Sequence, residues 1–253
     1  RGSDMADILY GRNAVREALR AQRRTFQRLL VSSGAQEAGT LGEAVKLAEQ
    51  AGVPVVRVDR RELDRRLAGA NHQGVVLECG DYPYADLEAC LALAEERGEP
   101  ALLLLLDHLQ DPQNIGTLLR TAEVVGVHGV VIPGRRSAEV TAAVVNASSG
   151  ATEHLRIAVV TNLAQTIEEI QRAGVWVVGV EDDERAQDYD RADLDIPLAL
   201  VVGAEGPGLA RLTRDRCDFL VRLPMRGRIA SLNAAVAGSI VLYHAWRSRA
   251  SNQ

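Results

Sequence analysis

Lysine is almost missing from this sequence: Lys46 stands alone against 28 arginines in 253 residues. No Gly-x-x-x-x-Gly-Lys-Ser/Thr occurs, and Lys46 is nowhere near a glycine loop of that kind, which excludes a P-loop nucleotide enzyme. Long apolar runs are missing too. None is longer than the run at residues 101–106, whereas a membrane-spanning helix needs ~20 apolar residues, so no span is expected. The N-terminus lacks the apolar centre of a signal peptide, which argues against secretion, and Arg1–Asp4 reads as a cloning remnant ahead of Met5. Cysteine is scarce, and Cys79, Cys90 and Cys217 form neither a CxxC pair nor an even set. A reduced, cytoplasmic protein with packed thiols is expected. No Gly-x-Gly-x-x-Gly follows a strand, which removes the main support for a nicotinamide enzyme or a Rossmann-type methyltransferase. No Gly-x-Ser-x-Gly elbow is present either. His72, His108, His128, His154 and His244 show no metal-ligand spacing, so each reads as structural or superficial and no metal is expected.

What is present is ordinary in amount but uneven in place. Hydrophobic residues make up 47% and charged residues 25%, the composition of a folded globular chain. The formal charge of −5 is not spread evenly. Residues 1–80 carry a net +3, residues 81–100 a net −5, and the remainder −3. Eight of the last part's acids crowd into Glu181–Asp195, without which it would be positive. A net-acidic chain of this kind still offers basic faces to a phosphate-bearing partner, and arginine-rich solvated faces would look the same.

The pattern of residues predicts two α/β units. In the first, helices are expected at 14–19, 41–51 and 62–68, and strands at 28–31, 53–58 and 74–77. Asp81-Tyr-Pro-Tyr-Ala-Asp86 breaks that pattern. The expected organisation is a domain over residues 5–80, a linker over 81–99 that includes a helix, and a second domain over 100–250. In that second domain, strands at 102–106, 129–132, 175–180 and 198–202 alternate with helices at 114–125, 139–146 and 163–173. This order implies a mostly parallel sheet with helices on both faces. The last helix, from Ser231 to about Arg247, is apolar or small on nearly every side at its start, so it is buried in its own core or against another subunit.

Three segments of the second domain hold the candidate chemistry. Asp107-His-Leu-Gln-Asp-Pro-Gln-Asn-Ile-Gly116 leads from a strand end into a helix, where backbone amides near Asn114 can hold a polar group, with Arg120 further along. Leu200-Val-Val-Gly-Ala-Glu-Gly-Pro-Gly-Leu209 brackets Glu205 between glycines that permit close ligand approach. Leu220-Val-Arg-Leu-Pro-Met-Arg-Gly-Arg-Ile-Ala-Ser-Leu-Asn233 passes a basic loop (Arg226, Arg228) and reaches Ser231, a natural N-cap. Singly, each is also consistent with an ordinary turn.

Together, in this order and spacing, they resemble the SpoU (TrmH-like) branch of the SPOUT RNA methyltransferases. The matched patterns are Asp-Pro-x-Asn-x-Gly…Arg-Thr-Ala, Gly-x-Glu-x-x-Gly and Pro-Met-x-Gly…Ser-Leu-Asn, with Ser148-Ser-Gly-Ala151 between the first two. Tyr10-Gly-Arg-Asn-Ala-Val15 and Asn71-His-Gln-Gly74 resemble the N-terminal substrate-binding domain of the 23S rRNA guanosine 2′-O-methyltransferases. One departure is Asn233-Ala-Ala, where the family more often has Val-Ser after the Asn.

The resemblance implies a C-terminal trefoil knot, an exception to unknotted topology. It also implies a homodimer, S-adenosylmethionine as methyl donor, and transfer to a ribose 2′-hydroxyl of RNA during rRNA processing. The expected acceptor is a guanosine in 23S rRNA. The alternatives are tRNA, an rRNA loop targeted by antibiotics, or a non-catalytic RNA-binding assembly factor. The resemblance places the donor near Gly203, Leu223, Met225, Ser231 and Leu232. It assigns catalysis to Asn114, Arg120, Glu205, Ser231 and Asn233, and RNA binding to Arg12, Asn13, His72, Gln73, Arg226 and Arg228. A guanidinium keeps its proton at neutral pH, which makes Arg120 a poor proton acceptor. Arg120 is therefore expected to grip the target phosphate and stabilise the developing alkoxide.

Overall fold

The computed structural model describes residues 7–134, 139–229 and 231–250. In chain order its elements begin with β1 (Asp7–Tyr10), α1 (Arg12–Ala21), β2 (Phe26–Ser32), α2 (Gly39–Gln50), β3 (Val55–Val58), α3 (Arg60–Arg66) and β4 (Val75–Cys79). Next come α4 (Leu87–Arg97), β5 (Leu102–Asp107), α5 (Pro112–Val124), β6 (Gly129–Pro133), α6 (Ala142–Ala147) and, after a 3₁₀ turn at Ala151–His154, β7 (Ile157–Val160). The chain finishes with α7 (Leu163–Arg172), β8 (Trp176–Val180), β9 (Gln187–Asp188), β10 (Leu198–Gly203), α8 (Arg211–Arg216), β11 (Phe219–Arg222) and α9 (Ala234–Ala250). Two compact units result: Arg1–Pro83 with Val140–His154, and Tyr84–Glu139 with Leu155–Gln253.

The first unit is built on a mixed sheet in the order β1-β4-β2-β3, with only β2 and β3 parallel. Ala14, Val15, Ala18 and Leu19 form the buried stripe of α1, the i, i+4 pattern that lets a helix bury one face. β1 has too few residues to show a period in the sequence; its pairing with β4 defines it. Val140–His154 packs here although its sequence neighbours do not. The fully buried Arg24 guanidinium donates two bonds of 2.9 Å to the equally buried Glu153 carboxylate and a third of 2.8 Å to Asp7. The Tyr82 hydroxyl donates to the Thr152 carbonyl at 2.9 Å, and Asn146 Nδ2 to the Tyr10 carbonyl at 3.0 Å. The expected boundaries assigned all of residues 100–250 to one domain. No local pattern announces that Glu153 pairs with an arginine 129 positions earlier.

The second unit is a seven-stranded, wholly parallel sheet in the order β7-β6-β5-β10-β8-β11-β9. Every residue of β5 and β10 is buried, as a strand covered on both faces requires. On one face Leu103, Leu105, Val177, Ala199 and Val201 pack with Ile167 and Ile170 of α7 and Cys90 of α4. On the other, α9 approaches so closely that a Cβ on Gly238 would come within 2.7 Å of Val202 and 2.8 Å of Leu118. This explains the small residues of the last helix. α4 occupies most of the expected linker; it is capped by Asp86 and closed by Gly98 at φ +65. α9 begins at Ala234, later than expected, because Asn233 rather than Ser231 caps it. Asn233 Oδ1 accepts from the backbone N–H groups of Ala235 and Val236 at 3.0 and 3.2 Å.

No helix among the described residues is long and apolar enough to cross a membrane. Burial pushes the thiol pKa of Cys79 up to about 12, of Cys90 to about 11 and of Cys217 to about 12. These side chains pack; they are not nucleophiles at neutral pH.

Candidate functional site

β5 and β10 lie side by side, and their C-terminal residues Asp107 and Gly203 are direct partners. β6 and β7 extend the sheet on one side of this pair, and β8, β11 and β9 on the other. The pair therefore marks the place where the winding reverses, the usual position of a ligand crevice in an open α/β sheet.

The turn after β10 folds back on itself. Ala204 and Gly208 exchange two backbone hydrogen bonds of 3.1 and 2.9 Å. A Cβ on Gly203 would lie 2.3 Å from the Gly208 carbonyl carbon, and one on Gly208 would strike the Glu181 carboxylate at 2.5 Å. Glycine is required at both positions for a turn this tight, with Gly208 also at φ +70. The turn holds Glu205 exposed at its tip. Glu181 fixes the exit by accepting from the Leu209 N–H at 2.8 Å.

The turn after β5 leads into α5, where Asp111 is the N-cap and accepts from the Asn114 N–H at 3.0 Å. Asn114 is therefore in the first turn, with its side chain projecting towards the β10 turn. Its Nδ2 donates to Glu205 Oε2 at 3.1 Å, and its Oδ1 accepts from Asn233 Nδ2 at 2.8 Å. Three segments far apart in sequence thus meet in one line of hydrogen bonds, Asn233 to Asn114 to Glu205. Its polarity is set by the cap that Asn233 makes with its own oxygen.

Two cavities adjoin this line. The first, of about 310 Å³, is lined by Gly203, Leu223, Met225, Ser231 and Leu232 together with Glu181, Asp182 and Glu205. All five positions expected to hold the donor face one space. The second, of about 650 Å³, shares Ala204, Glu205 and Gly208 with the first and adds His108, Asp111, Asn114 and Arg211. Arg120 is exposed further along α5 and lines neither cavity; Arg226 and Arg228 are exposed in the loop after β11. Glu181, Asp182 and His108 were not singled out by sequence. The first two read as part of an acidic stretch, although their place immediately after the apolar strand β8 was the available signal.

In the first unit, Arg12 and Gln73 line a cavity of about 590 Å³ with Ser33, Asp59, Arg60 and Gly74. The Arg12 backbone N–H donates to Gln73 Oε1 at 2.9 Å, and its Nε donates to the Gln73 carbonyl at 3.2 Å. Among the described residues neither Arg12 nor Arg60 forms an ion pair with a carboxylate, whereas Arg16, Arg20, Arg24, Arg28, Arg57 and Arg66 do. Asn13 is exposed. His72 is buried, with Nδ1 accepting from the Gly74 N–H and Nε2 against Asp64 at 2.9 Å. Its ring shapes the loop instead of presenting itself on the surface. Arg60 was missed; its Asp59-Arg60-Arg61 setting reads only as a helix start.

Comparison with known proteins supplies the context for this geometry. Residues 101–243 match the family model of the SpoU rRNA Methylase family, and residues 8–85 match the model for RNA 2′-O ribose methyltransferase substrate binding. YacO of Bacillus subtilis, described as a TrmH family tRNA/rRNA methyltransferase, is 42% identical over 98% of both chains. The SpoU methyltransferase AviRb from Streptomyces viridochromogenes, solved in complex with AdoMet, superposes with a TM-score of 0.78. It is 27% identical, and the match covers 96% of this chain and 90% of that one. A TrmH/SpoU tRNA modifying enzyme from A. aeolicus matches at 25% identity and TM-score 0.55. That match covers only 66% of this chain and 86% of the other. With both models matched in order and the three motif segments meeting at the ends of β5 and β10, the chain is an RNA methyltransferase of the SpoU family.

Proposed function

We propose that the chain transfers a methyl group from S-adenosylmethionine to a ribose 2′-hydroxyl of RNA, with a guanosine of 23S rRNA as the acceptor. The observation that carries this reading is the hydrogen-bonded line Asn233–Asn114–Glu205 at the junction of the two cavities. The residues present fit the donor. Leu223, Met225 and Leu232 offer an apolar wall for a flat base, and Glu181, Asp182 and Glu205 give the same cavity an acidic edge. A ligand that is apolar at one end and cationic at the other suits such a wall. When bound, it supplies a methyl group already activated by a sulfonium.

Little is left for the protein beyond alignment, which can contribute ~7–11 kcal/mol. Asn114 and Asn233 hold one another and orient Glu205, while Ser231 lies on the donor wall. Arg120 grips the phosphate of the target nucleotide with its planar fork and stabilises negative charge developing on the ribose oxygen. Arg226 and Arg228 extend that contact from the loop after β11. RNA capture falls to the first unit through Arg12, Asn13, Gln73 and Arg60, directed at loops and ends whose bases are accessible.

Two further features of the reading draw on the fold. β10 inserts between β5 and β8, and β11 between β8 and β9, which supports a chain whose C-terminal segment is threaded as a trefoil knot. Val236, Ile240 and Tyr243 form an exposed apolar stripe on α9, with Val124 exposed on α5. A second copy of the chain covering that stripe makes the active form a homodimer in the cytoplasm. The tRNA-modifying relative matches only two thirds of this chain, and the extra substrate-binding unit favours rRNA. Mapping 2′-O-methyl positions in RNA from a deletion strain tests the assignment. Loss of one methyl from 23S rRNA supports it, and loss from tRNA alone contradicts it.

A further inference from the structure

The proton of the ribose hydroxyl needs an acceptor, and Arg120 is a poor one. We propose that His108 takes it, an inference that rests on the ribose-methylation reading above. His108 follows the last residue of β5 and lines the larger cavity alongside Asn114 and Glu205. Its Nδ1 lies 2.5 Å from Oδ1 of Asp107, a fully buried carboxylate whose Oδ2 accepts from the Ala210 N–H at 2.7 Å. Asp107 is anchored on both oxygens. A buried aspartate anchored in this way holds the imidazole proton on Nδ1 and leaves Nε2 as the accepting atom.

His108 has φ +59, a left-handed conformation that histidine, like Asn and Asp, adopts more readily than most residues other than glycine. Its side chain is 48% exposed, which leaves the ring accessible to a substrate in the cavity. The other charged groups facing this space are Asp111, Glu205 and Arg211. Asp111 caps α5, and Glu205 accepts from Asn114. A carboxylate is also a weaker base than an imidazole, while a guanidinium accepts no proton.

In the step, the ribose 2′-oxygen forms its bond to the methyl carbon as the carbon–sulfur bond breaks. The electron pair of that bond stays on sulfur as a thioether. The hydroxyl proton passes to His108 Nε2 and from there to water, which restores the neutral ring.

His108→Asn keeps a residue that tolerates positive φ, and His108→Gly removes the ring while relieving the backbone. Single-turnover methyl transfer to rRNA by both variants is expected to fall by about 10²-fold, within the range of general-base help. The acid limb of the wild-type pH profile is expected to vanish, and added imidazole should partly restore His108→Gly. Donor affinity, measured by calorimetry, should stay within about twofold of wild type; this is set by the cavity on the other side of Glu205. Nitrogen NMR of the free protein offers a readout independent of turnover, with His108 showing a protonated Nδ1 and a bare Nε2. Wild-type ribose methylation with variant rates within threefold and an unchanged pH profile would overturn the role of His108 alone. A His108 ring protonated on Nε2 instead would overturn it as well. A wild-type protein that methylates no ribose would overturn the underlying reading and this proposal together.

Discussion

Both units pair arginines with carboxylates, as Arg185 with Asp183 and Arg222 with Asp188 do in the second, and they differ in which polar groups are left facing a crevice. In the first, most arginines are spent on carboxylates: Arg24 on Glu153 and Asp7, Arg28 and Arg66 on Glu78, Arg16 and Arg20 on Glu17 and Glu43. Glu78 illustrates the effect, since its side-chain bond to Arg28 and the nearby Arg66 hold its pKa below the ordinary carboxylate range. In the second unit, the polar side chains at the ends of β5 and β10 face cavities. They include His108 and Glu205, joined by Asp182 after β8 and Ser231 before α9, and Asn114 bonds to both Glu205 and Asn233. Paired charges hold a fold, whereas polar groups kept in line at a crevice are available to a ligand. The arginine excess visible in the sequence therefore has two meanings. Only the placement of each partner separates them.

The sharpest way to break this comparison is at the buried pair. Glu153→Gln leaves the Arg24 guanidinium buried with only Asp7 for charge compensation. Such a loss is expected to cost about 3–5 kcal/mol, read as a drop in the denaturant midpoint. A change under about 1 kcal/mol would mean that the pair does not hold Val140–His154 in place.

In the second unit the expected loss is in rate, not folding. Arg120→Ala should slow methyl transfer by about 10²–10³-fold, the magnitude of removing one donor that stabilises developing negative charge. Arg120→Lys should recover only part of that loss, because lysine cannot make the two-pronged contact. A full recovery with an unchanged pH profile would remove the phosphate grip from the account.

Asn233→Ala joins the two kinds of role. Loss of the α9 cap should cost about 0.5–2 kcal/mol in chemical denaturation, while loss of the bond to Asn114 should lower the transfer rate separately. A rate unchanged beside a lowered stability would make Asn233 a cap and nothing more. The smallest expected effect is at Arg12. Arg12→Ala should weaken binding of an rRNA fragment and reduce the dependence of log K on log salt by ~0.7 for one phosphate on a single strand. An unchanged salt slope would exclude a phosphate contact there.

Much of the second unit was readable because its signals are local. Leu102–Leu106 has no polar alternation, so it had to be a central strand, and the glycines around Glu205 announced a tight turn. The resemblance carried by three motif segments then brought Asn114, Glu205 and Asn233 together before any coordinates. What could not be read depends on distant partners. β7 and the two-residue β9 exist because of their neighbours in the sheet, and the allegiance of Val140–His154 rests on Arg24. Ser231 has the right side chain for a cap, but Asn233 reaches the amides of Ala235 and Val236. His108 looked like a loop histidine because sequence cannot show that Asp107 is fully buried and turned towards it.

The most direct test of the central claim uses purified protein, labelled S-adenosylmethionine and 23S rRNA from a strain lacking the gene. After transfer, the RNA is hydrolysed in alkali, which cannot cleave next to a methylated ribose. The account predicts label in one alkali-resistant dinucleotide with guanosine at its 5′ position for wild type, and almost none for Asn114→Ala or Glu205→Ala. Label released entirely as mononucleotides would place the methyl on a base. Equal labelling by the two variants would show that the line from Asn233 to Glu205 is not the site of the reaction.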